Sequence, residues 1–461
     1  MEHSLGFGIT PDSKTTDFLS TSLRKKLASI TVIGFSLGML QGGMANALSF
    51  QGLGDFPGGD LLLSTPVHSI PTLPNDPFFS VSLGGSKDGL IAVGAGNSVN
   101  GYEAFRWTEE DGMIGLGSLI GTRGLELGRS YYSMARDTSQ DGSVIVGRSN
   151  SVNGLEAFRW TQETGMVGLG DLPGGDFYSI AFGTSNDGSV VIGSSKSASG
   201  EEAFRWTQES GMVSLGDLPG GGFYSIAQGI SADGSIIVGG GRSANGNEAF
   251  LWTQETGMVG LGDLPNGGFF SSAQGISGDG SVVIGQSRGD RGIEAFRWTQ
   301  ESGMVGLGDL PGGGVYSLAR SASFDGSTIV GFGRTLNGNE AFIWDVTNGM
   351  RSVREVLVGF EINMTGWALI EARGISSDGT KIVGFGINPD GKAEAWLADL
   401  TPNQLPNNSI LHNNFVSTVQ TSEPSLSAVQ TPEPTPNFAF LSVNIFGIAS
   451  FFWRKRQKNL S

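Results

Sequence analysis

Histidine and cysteine chemistry is nearly closed to this chain. There is no cysteine, so no thiol nucleophile, disulfide or Cys-ligated metal, and the three histidines are His3, His68 and His412. Only His68 falls in the long repetitive middle, so a Ser-His-Asp triad or a His-based metal site would hang on that one residue. No phosphate-cradling Gly-x-x-x-x-Gly-Lys loop occurs, and no Asp-x-Asp-x-Asp-Gly calcium loop. Acids are plentiful, 44 Asp and Glu in all, so paired-carboxylate glycoside chemistry stays open. Its candidate groups are His68, Arg123, Glu126, Arg129 and Glu361. The reading is therefore of no catalytic constellation, no metal and no cofactor.

The elements that position these residues repeat. Glu-Ala-Phe-Arg-Trp begins at Glu103, Glu156, Glu202 and Glu294, with Leu or Ile for Arg at Glu248 and Glu340, and a worn copy is Glu394-Ala395-Trp396. Successive glutamates lie 53, 46, 46, 46, 46 and 54 residues apart. Asp-Gly pairs keep step at Asp88, Asp141, Asp187, Asp233, Asp279, Asp325 and Asp378. Asp-Gly between β-prone runs is a hairpin signal, because Gly takes the positive φ of a tight turn without steric cost. From the fullest copy, 211–256, and the start of the next, strands are expected at Tyr224–Ser231, Ser235–Gly241, Glu248–Thr253 and Met258–Leu264. Four short strands per unit of about 45 residues predict an all-β chain and a β-propeller blade.

The last repeat ends near Leu400 after three strands, and its missing strand stands at the front as Ser49–Phe56. Strand exchange of this kind predicts one seven-bladed propeller over 48–400, of four-stranded antiparallel blades, closed by the N-terminal strand joining the last blade and leaving no open edge. The Ala-x-Gly-Ile-Ser strand is then innermost. Phe and Trp of the repeated phrase fill the wedge between blades, and Arg205 lays its stem on apolar surface.

Against this frame two site signals stand out. Three loops from an outermost strand to the next innermost one are long, at 56–78, 119–131 and 356–367. They belong to blades one, two and seven, neighbours in a closed ring, and so predict a lip on one face. The position five residues before each hairpin Asp varies, reading Leu83, Arg136, Phe182, Gln228, Gln274, Arg320 and Arg373, and is expected to face the central channel. Arg136 and Arg373 sit beside the long loops, which end at Tyr131 and Trp367. Arginines with an aromatic platform suit an acidic or neutral sugar, so His68, Arg123, Arg129, Tyr131, Arg136, Trp367 and Arg373 form the expected binding set.

The formal charge is −16. Residues 1–47 hold four basic and three acidic groups and 435–461 four basic and none acidic, so the body between them is more acidic still, at −21. That field repels phosphate backbones and anionic membranes, and nucleic acid is not an expected partner. Residues 1–47 read as a secretory leader: Arg24-Lys25-Lys26, the apolar stretch Leu27–Leu40, and a small-x-small cleavage site at Ala45 and Ala47. Residues 401–431 read as a disordered linker rich in Pro, Asn, Ser and Thr. At 432–461 come Pro432-Glu433-Pro434, an apolar run Phe438–Trp453, and Arg454-Lys455-Arg456. The run is shorter than the ~20 residues that comfortably cross a bilayer, so contact with membrane is expected only through this transmembrane-like tail, before processing.

The order Pro432-Glu433-Pro434, short apolar helix, Arg454-Lys455-Arg456 resembles a PEP-CTERM sorting signal, which implies export in a Gram-negative bacterium and processing by an exosortase-type enzyme. The repeats over about 49–400 resemble the extracellular HAF-repeat family, with Glu in place of the His of its His-Ala-Phe tripeptide. That resemblance implies an exported repeat protein and brings no active-site residues. Together the readings predict a non-catalytic binding or matrix protein at the cell surface or outside it, with an exopolysaccharide or another envelope protein as partner. The alternative is a carbohydrate-active enzyme, a glycosidase or lyase, working on the long-loop face.

Overall fold

A computed structural model describes residues 48–56, 79–126, 128 and 130–401. Residues 1–47, read as a leader, His68, Arg129 and most of the first long loop, and 402–461, read as linker and sorting tail, with Ala45, Ala47, Pro432, Glu433, Pro434, Arg454, Lys455 and Arg456, lie outside the described residues.

The chain is all-β. Four-stranded antiparallel sheets recur along it, three standing alone and three more joined into one larger sheet by short parallel pairings such as Gly101 with Tyr131. A last sheet takes Ala368–Ile375, Lys381–Ile387 and Ala393–Asp399 from the end of the chain and Ser49–Gly52 from its start. We number these units one to seven from Ser80–Gly85 onward. The front strand pairs antiparallel with the final one, Ser49 opposite Asp399 and Gly52 opposite Trp396. First strands of successive units touch, and Ala368–Ile375 of unit seven touches Ser80–Gly85 of unit one.

Unit four shows how the sequence builds the pattern. Its strands are Ser225–Ile230, Ile236–Ser243, Gly246–Thr253 and Gly257–Gly260. The fourth is shorter than expected: after Gly260 the chain makes one more bond, Leu261 N–H to Ala249 O at 2.8 Å, and turns away at Gly262, φ 74°. At the hairpin, Asp233 accepts from the Ser231 hydroxyl at 2.7 Å and the Ser235 amide at 3.0 Å, which holds its carboxyl below the usual range. The repeated Phe is fully buried in six units and ties its unit to the preceding one: Phe250 clusters with Ala227 and Ile237 of unit four and with Val190, Ile192 and Ala203 of unit three.

Two side chains of the repeat join one unit to the next. Ser225, at 0% exposure, accepts from Ala203 N–H of unit three at 3.0 Å and donates to Gly216 O at 2.8 Å. Ser133, Ser179, Ser271 and Ser317 do the same. Ser80 does it across the junction of the chain's two ends, taking Ala395 N–H and donating to Gly54 O. The Glu of the repeated phrase clips the outer turn: Glu248 accepts from Gly262 N–H at 3.0 Å, and Glu394 from Gly54 N–H, 340 residues away, at 2.9 Å. The serine is missing between units six and seven, where Ile370 stands. There Val353, Leu357 and Met364 pack on Val330, Ala341 and Leu369 instead.

Both described long connections hold a short helix, which the sequence reading treated as loop: α1, Gly121–Glu126, and α2, Val353–Gly359. Ser352 caps α2 by accepting from Glu355 N–H at 3.3 Å.

Two outcomes are expected. Ser225→Ala leaves the buried Ala203 N–H unpaired and lowers unfolding stability by about 1–3 kcal/mol in denaturant titrations, while Ser235→Ala at the exposed hairpin costs much less. Deleting residues 48–56 bares the edge of Ala393–Asp399 and uncovers Trp396, so the protein melts earlier and aggregates; light scattering through the melt reads both.

Candidate functional site

The position five residues before each hairpin Asp faces inward in every unit. Leu83, Arg136, Phe182, Gln228, Gln274, Arg320 and Arg373 all line one cavity of about 150 Å³. It extends toward the hairpins, where Lys87, Asn186 and Phe324 join the wall.

Its charge is unbalanced. Glu371, 5% exposed, accepts from Arg320 Nε at 2.6 Å and from Arg373 Nη2 at 2.9 Å. Arg320 also donates to Gln274 Oε1 at 2.7 Å. Arg136 has no acidic partner among the described residues. Its guanidinium stacks over the Phe182 ring at 5.1 Å, and its Nε is buried without a hydrogen-bond partner, as is Nε of Arg373. Burial, reinforced by repulsion from Arg148 and Arg373, pushes the Arg136 guanidinium down to about 9. Burial takes Arg373 to about 10, with Glu371 pulling the other way. The carboxyl that itself lines the wall, Asp137, accepts from Thr184 N–H at 3.0 Å and is raised by burial against the pull of Lys87. With Lys87 set against Asp137, three guanidiniums remain in the lining, and Glu371 answers two of them.

Such a site has a clear preference. Preset guanidinium N–H groups, one set unpaired and desolvated, suit a carboxylate or another small anion through charge-assisted hydrogen bonds.

The expected binding set does not converge here. Arg136 and Arg373 are in the cavity, whereas Tyr131 and Trp367 begin or precede the same strands five and six residues upstream, roughly 17–20 Å away at ~3.3 Å per residue. Tyr131 is buried and pairs with Gly101. Trp367 packs edge-on against Phe50 at 5.0 Å, covering the closing strand rather than offering a platform. Arg123 and Glu126 are on α1 and Glu361 just after α2, all three exposed. Periodicity orders the inner strands but says nothing of which end of the channel a side chain reaches.

Glu371 escaped the sequence reading. Its signal was present: seven residues before the other hairpin Asps stand Val81, Met134, Ile180, Ile226, Ser272 and Leu318, so a charge at that position in unit seven is exceptional.

No family model matches the chain, and no curated protein does. Among solved structures, an oligogalacturonate lyase from Vibrio parahaemolyticus is similar at 12% identity over 76% of this chain and 96% of that one, TM-score 0.45. TolB from Acinetobacter baumannii is similar at 12% identity over 66% and 79%, TM-score 0.37. A putative TolB from Agrobacterium tumefaciens follows at 15% identity over 57% and 88%, TM-score 0.36. Likeness this distant carries no assignment of function.

A buried cation without a counter-charge costs stability, and replacing it by an apolar residue of similar length relieves that cost. Arg136→Met is therefore expected to leave the protein as stable or more so, by up to about 1–4 kcal/mol. Glu371→Gln, which strips two arginines of their shared partner, is destabilising. Chemical denaturation of the two variants beside the parent gives both signs.

Proposed function

We propose that the seven units are the blades of a closed seven-bladed β-propeller, and that the protein is an exported, non-catalytic binding protein of the cell envelope or exterior. The leader at 1–47 and the tail at 432–461, with an exosortase-type enzyme as processing partner, supply the export and sorting in this reading. The cavity holds the anionic group of the ligand, an acidic sugar of an extracellular polysaccharide.

One observation carries the binding reading: in a chain of formal charge −16, three guanidiniums line one cavity, and while Arg320 and Arg373 share Glu371, Arg136 has no acidic partner among the described residues. The acidic body would otherwise repel an anion, so the placement of these arginines supports a ligand that needs them. The cavity carboxyls speak for binding over turnover. Glu371 is held between two arginines and Asp137 by a backbone amide, whereas glycoside hydrolysis needs a pair of carboxyls free to exchange protons at the scissile bond.

Calorimetry of the purified exported protein with glucuronate and, in parallel, glucose tests the reading. Glucuronate binds and glucose does not, and Arg136→Ala or Arg373→Ala weakens glucuronate at least tenfold. Arg205→Ala, on an outward strand, changes nothing. Equal binding of the two sugars, or indifference to Arg136→Ala, would sink the proposal.

A further inference from the structure

At the other end of the inner strands a second basic feature repeats. Lys196, Arg242, Arg288 and Arg334, each 46 residues from the next, lie over the rings of Tyr178, Tyr224, Phe270 and Tyr316 at 5.4, 6.0, 6.0 and 5.3 Å. The backbone fixes three of the pairs directly. Arg242 N–H donates to Tyr224 O at 3.0 Å, Arg288 N–H to Phe270 O at 2.9 Å and Arg334 N–H to Tyr316 O at 2.9 Å. Each of those aromatics is bridged in turn to the third strand of the preceding unit, at Glu201, Asn247 and Ile293. Cation and ring are thus set before any ligand arrives, which lowers the ordering cost of binding.

The arc belongs to units three to six. At the equivalent place units one, two and seven carry Asn97, Asn150 and Ile387. Arg242, Arg288 and Arg334 are exposed and form no ion pair among the described residues; Lys196 reaches Asp176 at 3.5 Å. The other surface acids of the arc are Glu201, whose carboxyl takes the Ser194 hydroxyl, and Asp290, which faces Arg291 at 3.8 Å. Asp217 and Asp309 sit beneath, their carboxyls raised by burial. Phe223, 65% exposed, stands beside the arginines as an uncovered ring.

We propose that this arc is a second, multivalent site for a linear acidic polysaccharide, the guanidiniums pairing with carboxylates of successive sugars and Phe223 stacking on a sugar face. Evenly repeated cations match a polymer that repeats its own charge, and linkage of several weak contacts gives avidity that one pair would lack. Planar carboxylates pair with the guanidinium fork while Phe223 stacks on a sugar face, so a sugar polymer is the occupant assigned, and a nucleic acid is the outcome the test sets against it. The arc and the cavity open at opposite ends of the inner strands, so each site stands or falls alone.

The test is affinity electrophoresis of the full chain in gels containing alginate, dextran or single-stranded DNA. Alginate retards the protein, less so as salt rises because the contacts are exposed; dextran and DNA do not. Single Arg242→Gln, Arg288→Gln and Arg334→Gln changes each weaken retardation about two- to fourfold, and the triple variant at least tenfold with melting unchanged. Should the triple variant fail to fold, the additive order of the singles carries the test. Unchanged retardation in the singles overturns the proposal, as does retardation by dextran equal to that by alginate. DNA binding as strong as alginate binding overturns the polysaccharide assignment. Arg136→Ala, which weakens glucuronate in the cavity at least tenfold, lowers alginate retardation less than the triple variant does; an equal or larger loss assigns the retardation to the cavity and overturns the arc.

Discussion

One buried hydroxyl, repeated, holds the units to each other. Side chains that pack between two sheets are apolar and adaptable, but the backbone N–H of the Ala in Glu-Ala-Phe points at the next unit, where no strand is in register to receive it. The inner-strand serine receives it and passes its own proton to the Gly carbonyl that follows the outer strand. Leaving that amide unpaired in a dry interface would cost more than the bond itself returns. Units two to six are each held to the preceding one in this way, the same bond reappears between Ser80 and Ala395, where the chain's ends meet, and apolar packing replaces it between units six and seven.

This constraint sets what the rest of the molecule can carry. With the first strands held side by side, the positions five before the hairpins have no choice but to converge. Arginines there lose water to one another and to aromatic rings, and a single glutamate shared between two of them leaves the third uncompensated. Stability is surrendered locally and recovered in the repeated core, the pattern expected where a binding group is held desolvated in advance of its ligand. Within units three to six the repeat also makes the outer end of each inner strand a copy of the last, which is why cation–aromatic pairs recur there at one spacing.

Much of the fold was legible because the signals were local and redundant. Asp-Gly marked each hairpin, the alternation in Glu-Ala-Phe-Arg-Trp marked the wedge, and the displaced strand at Ser49 announced its partner near Ala398, which it meets. The fourth strand was overextended by the reading because Leu-Gly-Asp-Leu alternates like a strand, whereas Gly262 turns it. The variable channel position was legible as a break in an otherwise fixed phrase. Its grouping with Tyr131 and Trp367 was not, since those residues are near in sequence yet a strand's length away along the channel.

The sequence by itself determined the element type, the period, the inward position and the exchange of strands between the ends, because each depends on neighbours along the chain or on repetition. Only the tertiary structure decided which charges meet. Glu371 bridges Arg320 to Arg373 across two units, Arg136 finds Phe182 and no acid, and Trp367 turns to Phe50, more than 300 residues away in the chain. Such pairings are set by how far each strand advances before its neighbour's side chain comes level, a distance that no single repeat contains.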